Sequence, residues 1–174
     1  MIHIRTASPK DQEQIRAIHR DAFGEEGITV SELALALIAD PTAQPILSLI
    51  AEVKEQAVGH ILFTGVNIGN SEPVAASILA PLGVVTHFQR QGIGRTLVEQ
   101  GLSTLRQQGC QLVFVLGNPN YYGRYEFNAD HGVLPPYPLP YPEAWMAIAL
   151  QGPSRQTFRG ELVCAQSLRD PKHW

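Results

Sequence analysis

Cysteine is scarce in this chain, with two residues, Cys110 and Cys164, in 174. Two cysteines that far apart make neither a disulfide framework nor a metal-type spacing. Each reads as a small buried apolar residue rather than a nucleophile. The six histidines show no ligand spacing either, so no metal is expected. No apolar run reaches the roughly 18 residues that a membrane helix needs. The opening Met1-Ile2-His3-Ile4-Arg5 lacks the basic segment and apolar stretch of a signal peptide. A reducing, cytoplasmic setting with no membrane partner is the expectation. Basic charge is also in short supply. Lys plus Arg total 13 against 16 for Asp plus Glu, a net charge of −3 and a pI near 6.0. A phosphate backbone selects a basic surface, so nucleic acid is excluded as the main partner.

What is present is ordinary for a globular chain: 44% apolar and 17% charged residues, and a length suited to one core. No internal repeat or long linker divides it, so residues 1–174 read as a single domain. Ile2 and Ile4 alternate with polar residues in a short first strand. Ser8-Pro9-Lys10-Asp11 has the form of a helix start, with Ser8 as cap and Asp11 three residues on. Ile15, Ile18 and Phe23 follow at helical spacing up to Gly24. A second helix is expected from about Ser31 to before Asp40-Pro41. Strands are expected over Ile46–Val53 and Ala57–Val66, turning at Lys54-Glu55-Gln56, and over Ala75–Val85 after a polar loop. The spacing of Ile93, Leu97, Val98, Leu102 and Leu105 predicts a helix from about Gly92 to Gln108, with Gly109 as its stop. Leu112–Leu116 is a continuously apolar strand of the kind buried on both faces. Asn118-Pro119 opens a short aromatic helix or turn. Pro135, Pro136, Pro138, Pro140 and Pro142 keep the next stretch extended. Ala144–Leu150 and Glu161–Ala165 close the order β-α-α-β-β-β-α-β-α-β-β, a mixed α/β or α+β domain with one central βαβ unit.

The segment richest in chemistry is Val84-Val85-Thr86-His87-Phe88-Gln89-Arg90-Gln91-Gly92-Ile93-Gly94-Arg95, a strand, a loop and a helix start. Gly92 and Gly94 let a ligand approach the backbone closely. The first-turn N–H groups and the helix dipole suit an anion such as a pyrophosphate, with Arg90 and Arg95 adding charge. No Gly-Lys-Ser/Thr follows, so this is not a nucleotide P-loop. The third glycine of a dinucleotide fingerprint is missing. Without more, the plain alternative is a glycine bend between strand and helix.

More is present. Gln89-x-x-Gly92-x-Gly94 after Leu82-Gly83-Val84 resembles the acetyl-CoA loop of the GNAT superfamily of N-acetyltransferases. Downstream, Tyr121-Tyr122-Gly123-Arg124-Tyr125-Glu126-Phe127 is similar to the family's Tyr-x-Lys/Arg-x-Gly-Phe segment. Gly59-His60-Ile61-Leu62-Phe63, Leu116-Gly117-Asn118-Pro119 and the proline-rich stretch before Trp145-Met146-Ala147 resemble a YhbS-like branch of these proteins. The resemblance covers nearly the whole chain. Glu126 stands where the family has glycine, and Val115 where many members carry asparagine.

The resemblance implies the GNAT fold, with a mixed central sheet of six to seven strands flanked by helices. It also implies transfer of an acetyl group from acetyl-CoA, as cosubstrate, to a primary amine by direct attack. The pantetheine arm would pair with Leu82, Gly83 and Val84, where one N–H would polarise the thioester carbonyl. The pyrophosphate would sit on the N–H groups of Arg90, Gln91, Gly92, Ile93, Gly94 and Arg95. Gln89 would cap the loop or meet the phosphates, and Asn118 would lie near the arm. Tyr122 is the candidate acid for the leaving thiolate, with Tyr121 and Tyr125 as competitors. Its phenol, ordinarily near pKa 10, is protonated at neutral pH. Arg124 would reach a phosphate or stay solvated. His60 is the candidate base, against the plainer reading of a hydrogen-bonded structural histidine. Glu52, Glu72 and a water chain are the alternatives. Tyr137, Tyr141 and the prolines around them would shape the acceptor side. A homodimer is compatible with the family, and the acceptor is not readable. A non-catalytic acyl-CoA-binding module, or an acyltransferase using another acyl-CoA, stands as the rival reading.

Overall fold

The computed structural model describes residues 1–152 and 158–174. β1 (Ile2–Thr6) leads into a tight turn and α1 (Gln12–Ala22). The turn is closed by a capping box. Ser8 accepts from the backbone at Lys10, while the Asp11 carboxylate accepts from the Ser8 N–H at 2.7 Å. Asp11 also receives both terminal nitrogens of Arg5 at 2.9 Å, while Arg5 Nε donates to Glu52. α2 spans Gly27–Ala39 and so begins earlier than the sequence expectation of Ser31. The reason is local. Gly27 lies so close to the Arg20 backbone that a Cβ would meet its carbonyl oxygen at 2.4 Å. Only glycine lets α2 start directly against α1.

β2 (Leu47–Val53) and β3 (Gln56–Ile68) form a hairpin whose turn residues Lys54 and Glu55 both have positive φ, the geometry that matches strand twist. β4 (Ala76–Val84), α3 (Ile93–Gln107) and β5 (Leu112–Leu116) form the expected βαβ unit, with β4 and β5 parallel. α4 (Pro119–Tyr122), β6 (Val133–Leu134), β7 (Trp145–Ala149) and β8 (Gly160–Val163) complete the chain. The sheet has eight strands, six of them in the order β1-β2-β3-β4-β5-β7. The two beyond that path are β6 and β8. β6 is a two-residue strand too short to leave a sequence period. It pairs in parallel with β8, which docks on the overshooting end of β3 at Asn67 and Ile68.

Both faces of the sheet are covered. Ile93, Leu97, Val98 and Leu102 of α3 pack on Ile61, Phe63, Val113 and Val115. Leu33 and Leu37 of α2 share the opposite cluster with Leu62, Ile78, Leu112 and Phe114. Alternate β5 residues therefore point to opposite buried faces, which explains its unbroken apolar run. Gly101 of α3 seats the Phe63 ring, which would stand 2.4 Å from a Cβ there.

Asp40, past the end of α2, ties the C-terminal segment to this frame. Its carboxylate accepts from the Thr42 N–H and hydroxyl at 2.8 and 2.6 Å, and from the Ser167 N–H and hydroxyl at 2.9 and 2.8 Å. These donors hold its pKa well below the ordinary carboxylate value. Asp40→Ala leaves the donors without their acceptor in a site only 7% exposed. It should cost about 2–3 kcal/mol in urea unfolding, and a change below about 0.5 kcal/mol would show that the tie is not structural.

Candidate active site

β4 and β5 are paired only from Ala76–Leu112 to Leu79–Val115. β4 then runs on to Val84 and β5 ends at Leu116. On its other side β4 keeps its register with β3, except for an irregularity between Ile61 and Phe63, where Ala80 and Pro81 face a single residue. Such a bulge bends the strand locally. The two central parallel strands therefore diverge, and a gap opens between them.

On the α3 side the gap opens into a cavity of about 420 Å³ lined by Leu82, Val84, Phe88, Gln89, Arg90, Gly92, Ile93, Gly94, Arg95, Tyr121 and Arg124. Most of the residues expected to hold the cofactor thus converge. Gly92 caps α3 with φ +85°, a conformation in which any other side chain is strained. No side chain caps this helix, and helix geometry leaves the N–H groups of Ile93, Gly94 and Arg95 without an acceptor inside it. Gln89 donates its side-chain amide to the Val84 carbonyl at 2.9 Å, which fastens the loop to the end of β4. Asp21 of α1 accepts from the Thr86 N–H at 2.6 Å and anchors the start of the loop. Arg90 has φ +62°. Arg95 pairs with Glu99 at 2.8 Å, both exposed, and Arg124 lies over the Tyr121 ring at 4.8 Å.

Three expected residues stand apart from this cavity. Gln91 donates to the His87 carbonyl. Asn118 spends its side-chain oxygen on the Asn120 N–H, capping α4. Gly83 faces α1, where a Cβ would meet His19 Nδ1 at 2.6 Å. Gly83 has only its backbone to offer a ligand.

On the α1–α2 side the same gap opens into a second cavity of about 590 Å³. Its lining includes Phe23, Glu26, Val30, Leu33, Leu79, Pro81, Leu82, Leu116, Tyr122, Lys172 and His173. Leu82 lines both cavities. Two of the three candidate tyrosines line them, Tyr121 the first and Tyr122 the second, while Tyr125 lines neither. Tyr121 points to the α3 side, its hydroxyl 2.7 Å from where a Gly94 Cβ would stand, and accepts from Tyr125 at 3.2 Å. Tyr122 lies on the other side with its ring over Gly117, whose missing Cβ makes room for it. Its hydroxyl has no hydrogen-bond partner among the described residues, and burial raises its pKa well above the ordinary phenol value. Glu126 has φ +76°. The glutamate that replaces glycine in this motif therefore keeps the left-handed backbone that glycine favours, at a cost of about 1 kcal/mol.

His60 does not face the cleft, contrary to the expectation of a base. It is fully buried beneath α1, 2.7 Å from the fully buried His19 and 2.8 Å from Ser48 Oγ. Burial pushes the His60 pKa well below its ordinary value and that of His19 to about 4. His19 Nδ1 is buried without a partner. The other two candidate bases also lie elsewhere. Glu52 is held by Arg5, and Glu72 is exposed in the loop before β4. The proline-rich stretch does not line either side of the cleft. Tyr137 instead donates to the Arg169 carbonyl, so it supports the C-terminal segment whose Lys172 and His173 form that wall. Glu26, Lys172 and His173 went unseen in the sequence because they share no motif and meet only through folding. His19 was hidden because its position beside Ile18 fits an ordinary amphipathic helix.

Three comparisons bear on this site. The profile of the Acetyltransferase (GNAT) family matches residues 13–127. An uncharacterised N-acetyltransferase of Escherichia coli K12, YjhQ, is 38% identical over 161 residues, covering 89% of this chain and 87% of its own. The crystal structure of the E. coli GNAT protein YhbS in complex with CoA superposes with a TM-score of 0.87 at 26% identity, over 98% of this chain and 93% of that one. A GNAT acetyltransferase of Brucella melitensis in complex with acetyl-CoA gives 0.79 at 30% identity, over 97% and 98%. No helix among the described residues is long and apolar enough to cross a membrane.

The buried histidine pair has a pH signature. Both rings are neutral in the fold, whereas an unfolded histidine binds a proton below about pH 6.5. Stability is therefore unaffected above that pH and lost as pH falls from 6.5 toward 4, by up to about 1.4 kcal/mol per unit for each ring. Urea unfolding at pH 7.5, 6 and 5 should show this slope, and His60→Gln should flatten it. Equal stability at pH 7.5 and 5 in the parent chain would contradict the buried neutral pair.

Proposed function

The chain belongs to the GNAT acetyltransferase family, and from that premise we propose that it transfers an acetyl group from acetyl-CoA directly to a primary amine. One observation carries this reading. A single gap beside β4 joins the bare N-terminus of α3 to the pocket of Tyr122, with Leu82 common to both ends. Acetyl-CoA supplies the acetyl group already activated as a thioester. The relatives crystallised with CoA and acetyl-CoA support placing the donor here, and we read residues 1–174 as one acetyltransferase domain.

The residues fit such a ligand. The free N–H groups of Ile93, Gly94 and Arg95 offer donors to a pyrophosphate, and Arg90, Arg95 and Arg124 around the same cavity balance its charge. The edge of β4 beyond Leu79 is unpaired by β5, so the Leu82 backbone and the Val84 N–H are available to an extended amide chain and to the thioester oxygen, the Val84 carbonyl being held by Gln89. Tyr122 is the proposed acid. It remains protonated, its hydroxyl is unclaimed, and the Tyr121 and Tyr125 hydroxyls already bond each other. The amine must lose a proton to attack. Glu26, the acidic side chain lining the acceptor pocket, replaces His60 as the proposed group to receive it, directly or through water.

Thermal unfolding with acetyl-CoA, NAD and ATP tests the donor. A ligand at 100 times its Kd stabilises by about 2.7 kcal/mol, and only acetyl-CoA should shift Tm. Gly94→Glu puts a carboxylate among the phosphate-facing N–H groups, and its Cβ must displace the Tyr121 hydroxyl that would stand 2.7 Å away. It should weaken acetyl-CoA at least about a hundredfold, and unchanged affinity would move the donor elsewhere. Tyr122→Phe should lower kcat by about tenfold to a hundredfold while acetyl-CoA affinity stays within twofold of the parent. Full turnover would remove the tyrosine from the chemistry. Acetyl-CoA binding with no turnover on any amine would make the chain an acyl-CoA sensor instead.

A further inference from the structure

The acceptor pocket is lined by opposite charges from two different elements together with apolar side chains. Val30, Leu33, Leu79, Pro81 and Leu116 supply apolar lining. Glu26, at the start of α2, lines one side and has no ion-pair partner among the described residues. The other side is formed by the C-terminal segment, which brings Lys172 and His173. That segment is a built wall. Asp40 holds Ser167, Tyr137 holds the Arg169 carbonyl, and Trp174 packs edge-on to Trp145 at 5.6 Å. Asp170 caps the last turn through the Lys172 N–H at 3.0 Å. The Lys172 ammonium itself is barely engaged. Its nearest carboxylate oxygen, on Asp170, is 3.8 Å away, and both side chains are more than half exposed, so that contact is weak.

Such a pocket selects against several kinds of amine. A polycation meets repulsion from Lys172. A plain alkylamine leaves Lys172 unused, and so does a protein lysine. An acceptor with an anion beside its amine satisfies both walls, and an apolar side chain covers the apolar lining. Building on the donor reading above, we propose that the acceptor is a free apolar α-amino acid. Its amine faces Glu26 and Tyr122, its carboxylate pairs with Lys172, and its side chain lies on Val30 and Leu33. In the transfer the amine nitrogen bonds to the acetyl carbon and the carbon–sulfur bond breaks. The ammonium loses one proton through Glu26 before attack; the second, shed as the nitrogen becomes an amide, restores through water the Tyr122 proton given to the thiolate, and the products are an N-acetyl amino acid, CoA and one released proton.

The test is a matched series on the full chain with saturating acetyl-CoA, read as N-acetyl product by mass spectrometry. Leucine and phenylalanine are compared with leucinamide, phenylalaninamide, 3-methylbutylamine and phenethylamine. The free amino acids should show KM values about tenfold or more below their amides and amines, the scale of one charge-assisted contact. Lys172→Ala should raise KM for the amino acids about tenfold and leave the amides unchanged, and Lys172→Arg should restore most of the difference. Calorimetry of acetyl-CoA with the same preparations separates the two readings. Normal acetyl-CoA binding with equal use of amides and amino acids, or with none of the six compounds acetylated, overturns the acceptor proposal and leaves the donor reading standing. An amino-acid preference that Lys172→Ala leaves unchanged also overturns it. Absence of acetyl-CoA binding overturns both.

Discussion

The break in pairing between two parallel strands is the feature on which the rest of the molecule depends. β4 and β5 share a ladder only as far as Leu79 and Val115. Backbone N–H and C=O groups in a sheet interior are normally paired, so an opened ladder leaves groups that a partner can satisfy. Here the opening is held by what surrounds it. The bulge at Ala80 and Pro81 bends β4, β3 fixes its far edge, and α3 begins at the mouth with its own first N–H groups unclaimed. Backbone donors and a positive helix end thus come to lie in one channel. A thioester joined to a pyrophosphate has the matching distribution of acceptors and charge.

The contacts that keep the channel open are largely polar and lie at its margins. Asp21 holds the start of the loop before α3, and Gln89 ties its middle back to the end of β4. Gly94 and Gly117 lack the atoms that would push Tyr121 and Tyr122 from their places. The His19–His60–Ser48 chain lies under α1 next to Gly83, so a buried polar network presses on the strand that borders the gap. A strained left-handed backbone occurs at Arg90, which lines the α3-side cavity, and at Glu126 in the tyrosine segment. Strain of this kind persists where the surroundings over-determine the conformation.

Much of this was legible in the chain itself. Ser8 and Asp11 announced the capping box, Lys54-Glu55 the hairpin, and the spacing of Ile93, Leu97 and Val98 the helix over the sheet, because each is a short-range rule written in neighbouring residues. Gln89-x-x-Gly92-x-Gly94 marked the loop for the same reason. The early start of α2 escaped because it depends on how Gly27 meets the Arg20 backbone. β6 escaped because two residues cannot show a period. The assignment of His60 as a base failed on burial. A histidine on a strand reads the same whether it faces solvent or the underside of a helix.

The sequence by itself determined the order of the strands and helices apart from β6, the glycine loop at the start of α3 and the family resemblance. All three are carried by local spacing, which any chain with these residues must obey. Tertiary structure alone decided which tyrosine faces which side of the gap, and that His60 is closed off against His19. It alone brought Glu26, just before α2, into the same cavity as Lys172 and His173. Those placements rest on contacts between residues far apart in sequence, such as Asp40 with Ser167. Hydrophobic periodicity directs a helix or strand to the core, but it does not say which polar side chains will meet once the core has formed.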